Sequence, residues 1–197
     1  IKPTKGYMIK LGSEIAGLGG DEQFVKTEAS GKIYQGIYGN NIIFSTELEG
    51  GILTMGKGYS KIVDRFQLGG RSFRGFKFSG IGPRELSGGA YTIPLGGEKY
   101  AIARFAASFP LGLPRELGLF GSVFAEAGTL WDLKSDPSVS GLSNKIALTD
   151  RSLRTSIGFA MNWETPIGPL QFNWSRPQKY LEADSLEYFS LNLATRF

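Results

Sequence analysis

The sequence predicts an all-β protein, an antiparallel transmembrane β-barrel wall with eight strands present. Three observations carry this. Stretches of about ten residues or more alternate between apolar and polar with period two, which marks strands having one apolar face. The opposite face of nearly every stretch is charged, with Lys10, Lys26, Glu28, Lys32, Glu47, Glu49, Arg104, Glu126 and Arg154 among its residues. A soluble sandwich buries one strand face and has no use for charge on the inner one, whereas lipid outside and water inside explain the inversion. Finally, tight turns alternate with longer loops, as in barrels whose two rims differ.

The elements follow in order. Tyr7, Ile9, Leu11, Ser13 and Ile15 oppose Lys10, Gly12 and Glu14, giving a strand over 6–15, and a turn is expected at 17–21. Val25, Ala29, Ile33 and Ile37 oppose Lys26, Glu28, Ser30 and Lys32 over 22–38, and Gly39, Asn40 and Asn41 supply a hairpin turn. Ile42, Phe44, Leu48 and Ile52 oppose Ser45, Glu47 and Glu49 over 42–54. Beyond a long irregular segment, Ala101, Ala103, Phe105, Ala107 and Phe109 oppose Tyr100, Ile102, Arg104 and Ser108. A short break at 110–114 leads to Leu119, Gly121, Val123, Ala125 and Ala127, opposed by Ser122, Glu126 and Gly128. After a polar loop at 132–150, Leu153, Thr155, Ile157, Phe159, Met161 and Trp163 share a face against Arg154, Ser156, Asn162 and Glu164. The turn at 165–169 precedes Leu170, Phe172 and Trp174, with Gln171, Asn173 and Ser175 behind them. A loop is expected over 177–185, and the chain closes on Phe189, Leu191, Leu193, Thr195 and Phe197.

Composition narrows the function. The chain of 197 residues is 41% hydrophobic and 13% aromatic, with 28 glycines, which suits many strands joined by tight turns. Its formal charge of +4 is too small to argue for nucleic acid. No apolar run reaches the length of a membrane-spanning helix, which leaves a β-barrel open. The chain has neither cysteine nor histidine, which removes disulfides, the usual zinc ligands and histidine-dependent hydrolytic machinery. No enzyme activity, cofactor or metal is expected. GILTMGK at 51–57 departs from a phosphate loop because Gly58 stands where Ser or Thr is needed, and Glu47 with Glu49 read as lumen charges. A start at Ile1 with no methionine reads as a processed or excised piece.

The irregular segment, about 56–97, is the centre of interest. Its middle, 66–84, holds Phe66, Phe73, Phe76 and Phe78 together with Arg71, Arg74 and Arg84, enough apolar surface to pack against something. A loop of this length inside a compact domain is usually functional or disordered. Folded inward, it brings a guanidinium that tolerates burial only when paired. The alternative is an Arg74 that is simply solvated. Gly75 suits a close backbone approach or a positive φ, while Phe73 and Phe76 read equally as anchors.

The run through Phe73, Arg74, Gly75 and Phe76 to Ile81, Gly82 and Pro83 resembles the VRGF/Y loop of the BamA superfamily, whose members fold and insert outer-membrane β-barrels. FAEAGTLW at 124–131, WETPIGP at 163–169 and the final strand ending in Phe197 resemble three further motifs of that family, in the family's order. Phe73 stands where the family usually has a small aliphatic residue. The family's barrel has sixteen strands preceded by POTRA domains, so the chain resembles the C-terminal half of such a barrel. An eight-stranded barrel is filled by its own side chains, which independently argues that a resident loop needs a wider lumen. Left alone, the first and last strands would have to pair with each other or with a second copy, because open edges are not viable in lipid.

The resemblance implies that Arg74 is held in the lumen by an acidic residue on a strand, and Glu126 occupies the matching motif. It implies a bacterial outer-membrane location, and action on nascent β-barrel proteins through a lateral seam at the last strand. The expected partners are membrane lipid and the accessory lipoproteins of an assembly complex. Leu191, Leu193 and Phe197 share one face of the closing strand, which serves as a rim anchor, as an assembly signal able to add to another sheet edge, or as both. A two-partner-secretion transporter and a small structural barrel are the alternatives.

Overall fold

A computed structural model of the chain describes residues 4–17, 23–39, 41–87, 89–134, 145–166 and 168–193. Eight antiparallel strands form one sheet in the order β1 (Lys5–Ala16), β2 (Gln23–Ile37), β3 (Ile42–Lys57), β6 (Lys99–Pro110), β7 (Leu119–Trp131), β9 (Arg154–Thr165), β10 (Gly168–Lys179) and β11 (Phe189–Leu193). Chain neighbours pair throughout, so the wall is an up-and-down meander. β1 and β11 are its two ends, and the sheet is not closed among the described residues. Strands of 12 to 16 residues recur because the alternation is sustained for that long, enough to cross the hydrocarbon at a tilt.

The two faces differ as the alternation requires. Ladder pairing sets Phe44, Ala107, Val123, Phe159, Trp174 and Phe189 side by side across six strands, an outward row without one charged residue. Phe44, Val123, Phe159, Trp174 and Phe189 are all exposed, and the rings of Phe159, Trp174 and Phe189 stack along the row. So wide an apolar surface is untenable in water and marks a lipid contact. The opposite face curves around a cavity of about 710 Å³, bounded by Lys32 on β2, Glu47 on β3, Arg104 on β6, Ser122 on β7, Asn162 on β9 and Gln171 on β10.

A buried hydrophobic cluster lies between this inner face and the segment joining β3 to β6. Phe66, Leu68, Phe73, Phe76 and Ile81 of that segment pack on Leu53, Tyr100, Ile102 and Leu130 of the wall. Phe78, grouped with the packing rings in the sequence, is 79% exposed. Two further departures have local causes. Three short strands, β4 (Arg84–Ser87), β5 (Ala90–Pro94) and β8 (Lys145–Ala147), form a second sheet at the long-loop end, too short for any period to register. β10 continues through Pro177 to Lys179 where a loop was expected from 177, because a register shift between Pro177 and Lys179 accommodates the missing N–H. The expected turn at 17–21 lies mostly outside the described residues, as do Asn40, Ile167 and most of the 132–150 loop.

The face assignment has a direct test. Val123→Arg places a charge in the apolar row and is expected to lower the unfolding free energy of the intact, vesicle-embedded protein by about 2–4 kcal/mol. Ser45→Lys, which faces the cavity, is expected to leave the urea midpoint nearly unchanged.

Candidate functional site

Glu126 sits near the middle of β7 and points inward, since Phe124, Glu126 and Gly128 alternate with the outward Val123, Ala125 and Ala127. Its carboxylate is 2% exposed and meets Arg74 three times. Oε2 accepts the backbone N–H of Arg74 at 2.8 Å, Oε1 accepts Nε at 2.6 Å, and Nη2 lies 2.6 Å from Oε1. The Arg74 carbonyl accepts a hydrogen bond from Ser156 Oγ at 2.6 Å. Its guanidinium carbon lies 3.5 Å from the centre of the Phe124 ring. One residue of the inner segment is therefore tied by backbone and side chain to two adjacent strands. A carboxylate this deeply buried is tolerable only with such partners, since an uncompensated buried charge costs several kcal/mol.

The flanking residues make the approach possible. Gly75 has φ +94°, and a Cβ there would come within 2.9 Å of Ser156 Cβ. Phe73 and Phe76 are fully buried, with ring centres 5.0 Å apart. A second clamp lies one residue upstream of Phe73, where Arg104 donates from Nη2 to the Ser72 carbonyl at 2.6 Å and pairs through Nη1 with Glu49 at 2.6 Å. Tyr100 Oη donates toward Glu49 and Glu28, and Lys32 pairs with Glu47, so the inner charges of β2, β3 and β6 form one network. Glu47 and Glu49 are thus spent on cations.

The inner segment also holds the connector between β10 and β11. Lys77 N donates to the Ser185 carbonyl, Ser185 N to that of Gly80, and Glu187 N to that of Gly75, each at 2.8 or 2.9 Å, with Phe76 bridging to Leu186. Beneath this pairing, Asp184 accepts from Arg154 Nε at 3.0 Å and Nη2 at 3.2 Å, both side chains wholly buried. Arg84 Nη2 donates to the Gly80 carbonyl at 2.9 Å. Burial lowers the pKa of Arg84; Asp184 opposes that shift and Arg154 adds to it.

The structure brings Phe73, Arg74, Gly75, Phe76 and Glu126 to one place. Leu191 and Leu193 lie apart from them, exposed on the outward face of β11, and Phe197 falls outside the described residues. Ser156, Arg104, Arg154 and Asp184 were not singled out as partners. Alternation already placed the first three on the inner face, but Asp184 lies in a connector where no period applies. Among the described residues, no cluster of metal-binding side chains occurs.

Removing one partner of the Arg154–Asp184 pair strands a buried charge. Asp184→Leu is expected to lower stability by about 3–5 kcal/mol, and Arg154→Met combined with it to recover much of the loss, read from urea midpoints of the intact protein.

Comparison with known proteins places this geometry in a family. Over 199 residues, 99% of the chain, the sequence is 26% identical to the outer membrane protein assembly factor BamA of Neorickettsia risticii, covering 25% of that protein. BamA of Neisseria meningitidis is 28% identical over 221 residues, covering 99% of this chain and 26% of its own length. The mouse sorting and assembly machinery component 50 homolog is 39% identical over 127 residues, covering 63% of this chain and 26% of that protein. The chain spans about a quarter of the length of these relatives. In fold it matches the crystal structure of BamA from Haemophilus ducreyi lacking POTRA domains 1-3, with a TM-score of 0.82 at 23% identity, covering 96% of this chain and 38% of that one. The Omp85 superfamily domain matches residues 1–197, and the chain belongs to that superfamily as part of its β-barrel.

Proposed function

We propose that this chain is the C-terminal part of a bacterial outer-membrane barrel that folds and inserts other β-barrel proteins, working through the seam beside β11. The relatives named as assembly factors align with essentially all of it, which supports the general activity. The observation that carries the finer reading is the double attachment of the inner segment, to β7 and β9 through Arg74 and to the connector that feeds β11. In this role the loop at about 56–97 is a lumen-resident strut. It fixes the wall on one side and sets how firmly the final strand is held on the other.

The mechanism involves no covalent chemistry. A nascent strand entering lipid must satisfy its backbone N–H and C=O groups, and a free or weakly held strand edge supplies partners for them. β11 is one end of the sheet, and its outward Phe189, Leu191 and Leu193 face where lipid would lie. Bilayer thinning beside such a seam would lower the barrier further. In this reading Phe197, outside the described residues, serves as the terminal signal. Nascent barrel proteins are the substrates, and the accessory lipoproteins of an assembly complex are partners of the whole protein.

The test uses the intact protein reconstituted in vesicles, with the folded yield of a second, small barrel protein as the readout. Arg74→Ala and Glu126→Gln are each expected to cut that yield at least severalfold and to lower the detergent stability of the barrel. The double variant should be no worse than the worse single one, because both remove one interaction. Wild-type yields from both single variants would exclude the loop from the reaction.

A further inference from the structure

We propose that the outward face around Arg176 binds one membrane lipid by its phosphate headgroup, with an acyl chain lying in the adjacent groove; this rests on the membrane-spanning reading of the wall. The groove has a volume of about 710 Å³ and is bounded by Val123, Ile157, Gly158, Trp174, Arg176 and Tyr188. Its lining is mainly apolar, and it is large enough for a small-molecule ligand. Gly158 leaves the wall thin between the flanking side chains of Ile157 and Trp174.

The position of the cation selects the headgroup. Arg176 stands eight residues beyond Gly168, where β10 begins. At about 3.4 Å per residue and a tilt of about 35–45°, that lifts it roughly 20 Å from the short-turn rim. The apolar band of such barrels is about 25 Å tall, so Arg176 lies at its upper boundary, at headgroup level. Tyr188, 60% exposed, flanks it as an interfacial aromatic does, and Trp174, 45% exposed, lines the groove two residues lower in the apolar band. Arg74, Arg104 and Arg154 all find carboxylates on the inner side, whereas no carboxylate among the described residues pairs with Arg176. An exposed guanidinium at the edge of hydrocarbon needs an anion, and a phosphate suits its fork of donors. The groove beside it distinguishes a lipid, which fills it with a chain, from a free anion, which does not.

Native mass spectrometry of the intact protein released from vesicles of equal phosphatidylglycerol and phosphatidylcholine tests this. The wild type is expected to retain one phosphatidylglycerol in preference to phosphatidylcholine. Arg176→Gln should lower that preference about fivefold, the effect of one basic side chain at an anionic surface. Arg176→Lys should keep most of it, and Trp174→Ala should weaken retention of both lipids. Equal retention of the two lipids by the wild type, an unchanged preference in Arg176→Gln, or loss of the bound lipid to millimolar inorganic phosphate would each overturn the proposal. Flotation with the vesicles is scored separately; a wild type that fails to float overturns the membrane-spanning reading itself.

Discussion

A single carboxylate determines the path of the segment between β3 and β6. Glu126 faces inward from the wall at a depth where water does not reach it, and its charge is sustained by the backbone N–H and the guanidinium of Arg74 together. Bringing both groups to one carboxylate requires the backbone itself to touch the strand. A long side chain reaching across a gap would satisfy only half of the interaction. Gly75 follows from this, because its positive φ turns the chain away and a Cβ would strike Ser156. So does the burial of Phe73 and Phe76, since a backbone pressed onto the wall carries its neighbouring side chains with it.

The period-two pattern made the wall legible. In the eight-stranded sheet, β2, β3, β6, β7, β9, β10 and β11 show the faces that the alternation assigns, because lipid on one side and polar contents on the other penalise a one-residue slip; β1, at the edge, is exposed on both faces. Glu126 was legible as an inward residue for the same reason, and Arg74 as a cation in need of a partner. The minor sheet of β4, β5 and β8 was not, since three to five residues carry no periodic signal. Asp184 was hidden differently. A connector residue is placed by tertiary contacts, and nothing in the local sequence says that Arg154, thirty positions earlier, will accept it as its counter-charge. Phe78 shows the converse limit, being apolar and set between Phe76 and Ile81, which pack on the wall, yet itself turned outward and exposed.

Two arginines divide the work of holding the inner segment and the connector. Arg74 reaches into β7 and β9 from the segment, whereas Arg154 reaches out from β9 to Asp184 in the connector. Ser156 lies two residues from Arg154 on the same inward face and holds the Arg74 carbonyl, so both attachments converge on one stretch of β9. Between them, the backbone pairing of 75–80 with 185–187 behaves as a short ladder that neither partner could form alone in water. A displacement of the segment would therefore break hydrogen bonds to the connector as well as to the wall.

The inner clamp and the outer groove are back to back. Phe124 lies beneath the Arg74 guanidinium on the inside and also borders the groove that Arg176 overlooks on the outside. The wall there is one strand thick, and Gly158 has no side chain to separate the two, since an added Cβ would fall 2.4 Å from the Phe124 ring. The ring is thus fixed from above by the cation and from the side by a glycine backbone. A chain occupying the groove would press on the same ring that supports Arg74, because close-packed side chains transmit displacement and do not absorb it. At this place in the barrel the lipid side and the lumen side share a residue, and the shared residue is an aromatic one because a flat ring can serve as a cation's platform on one side and as apolar surface on the other.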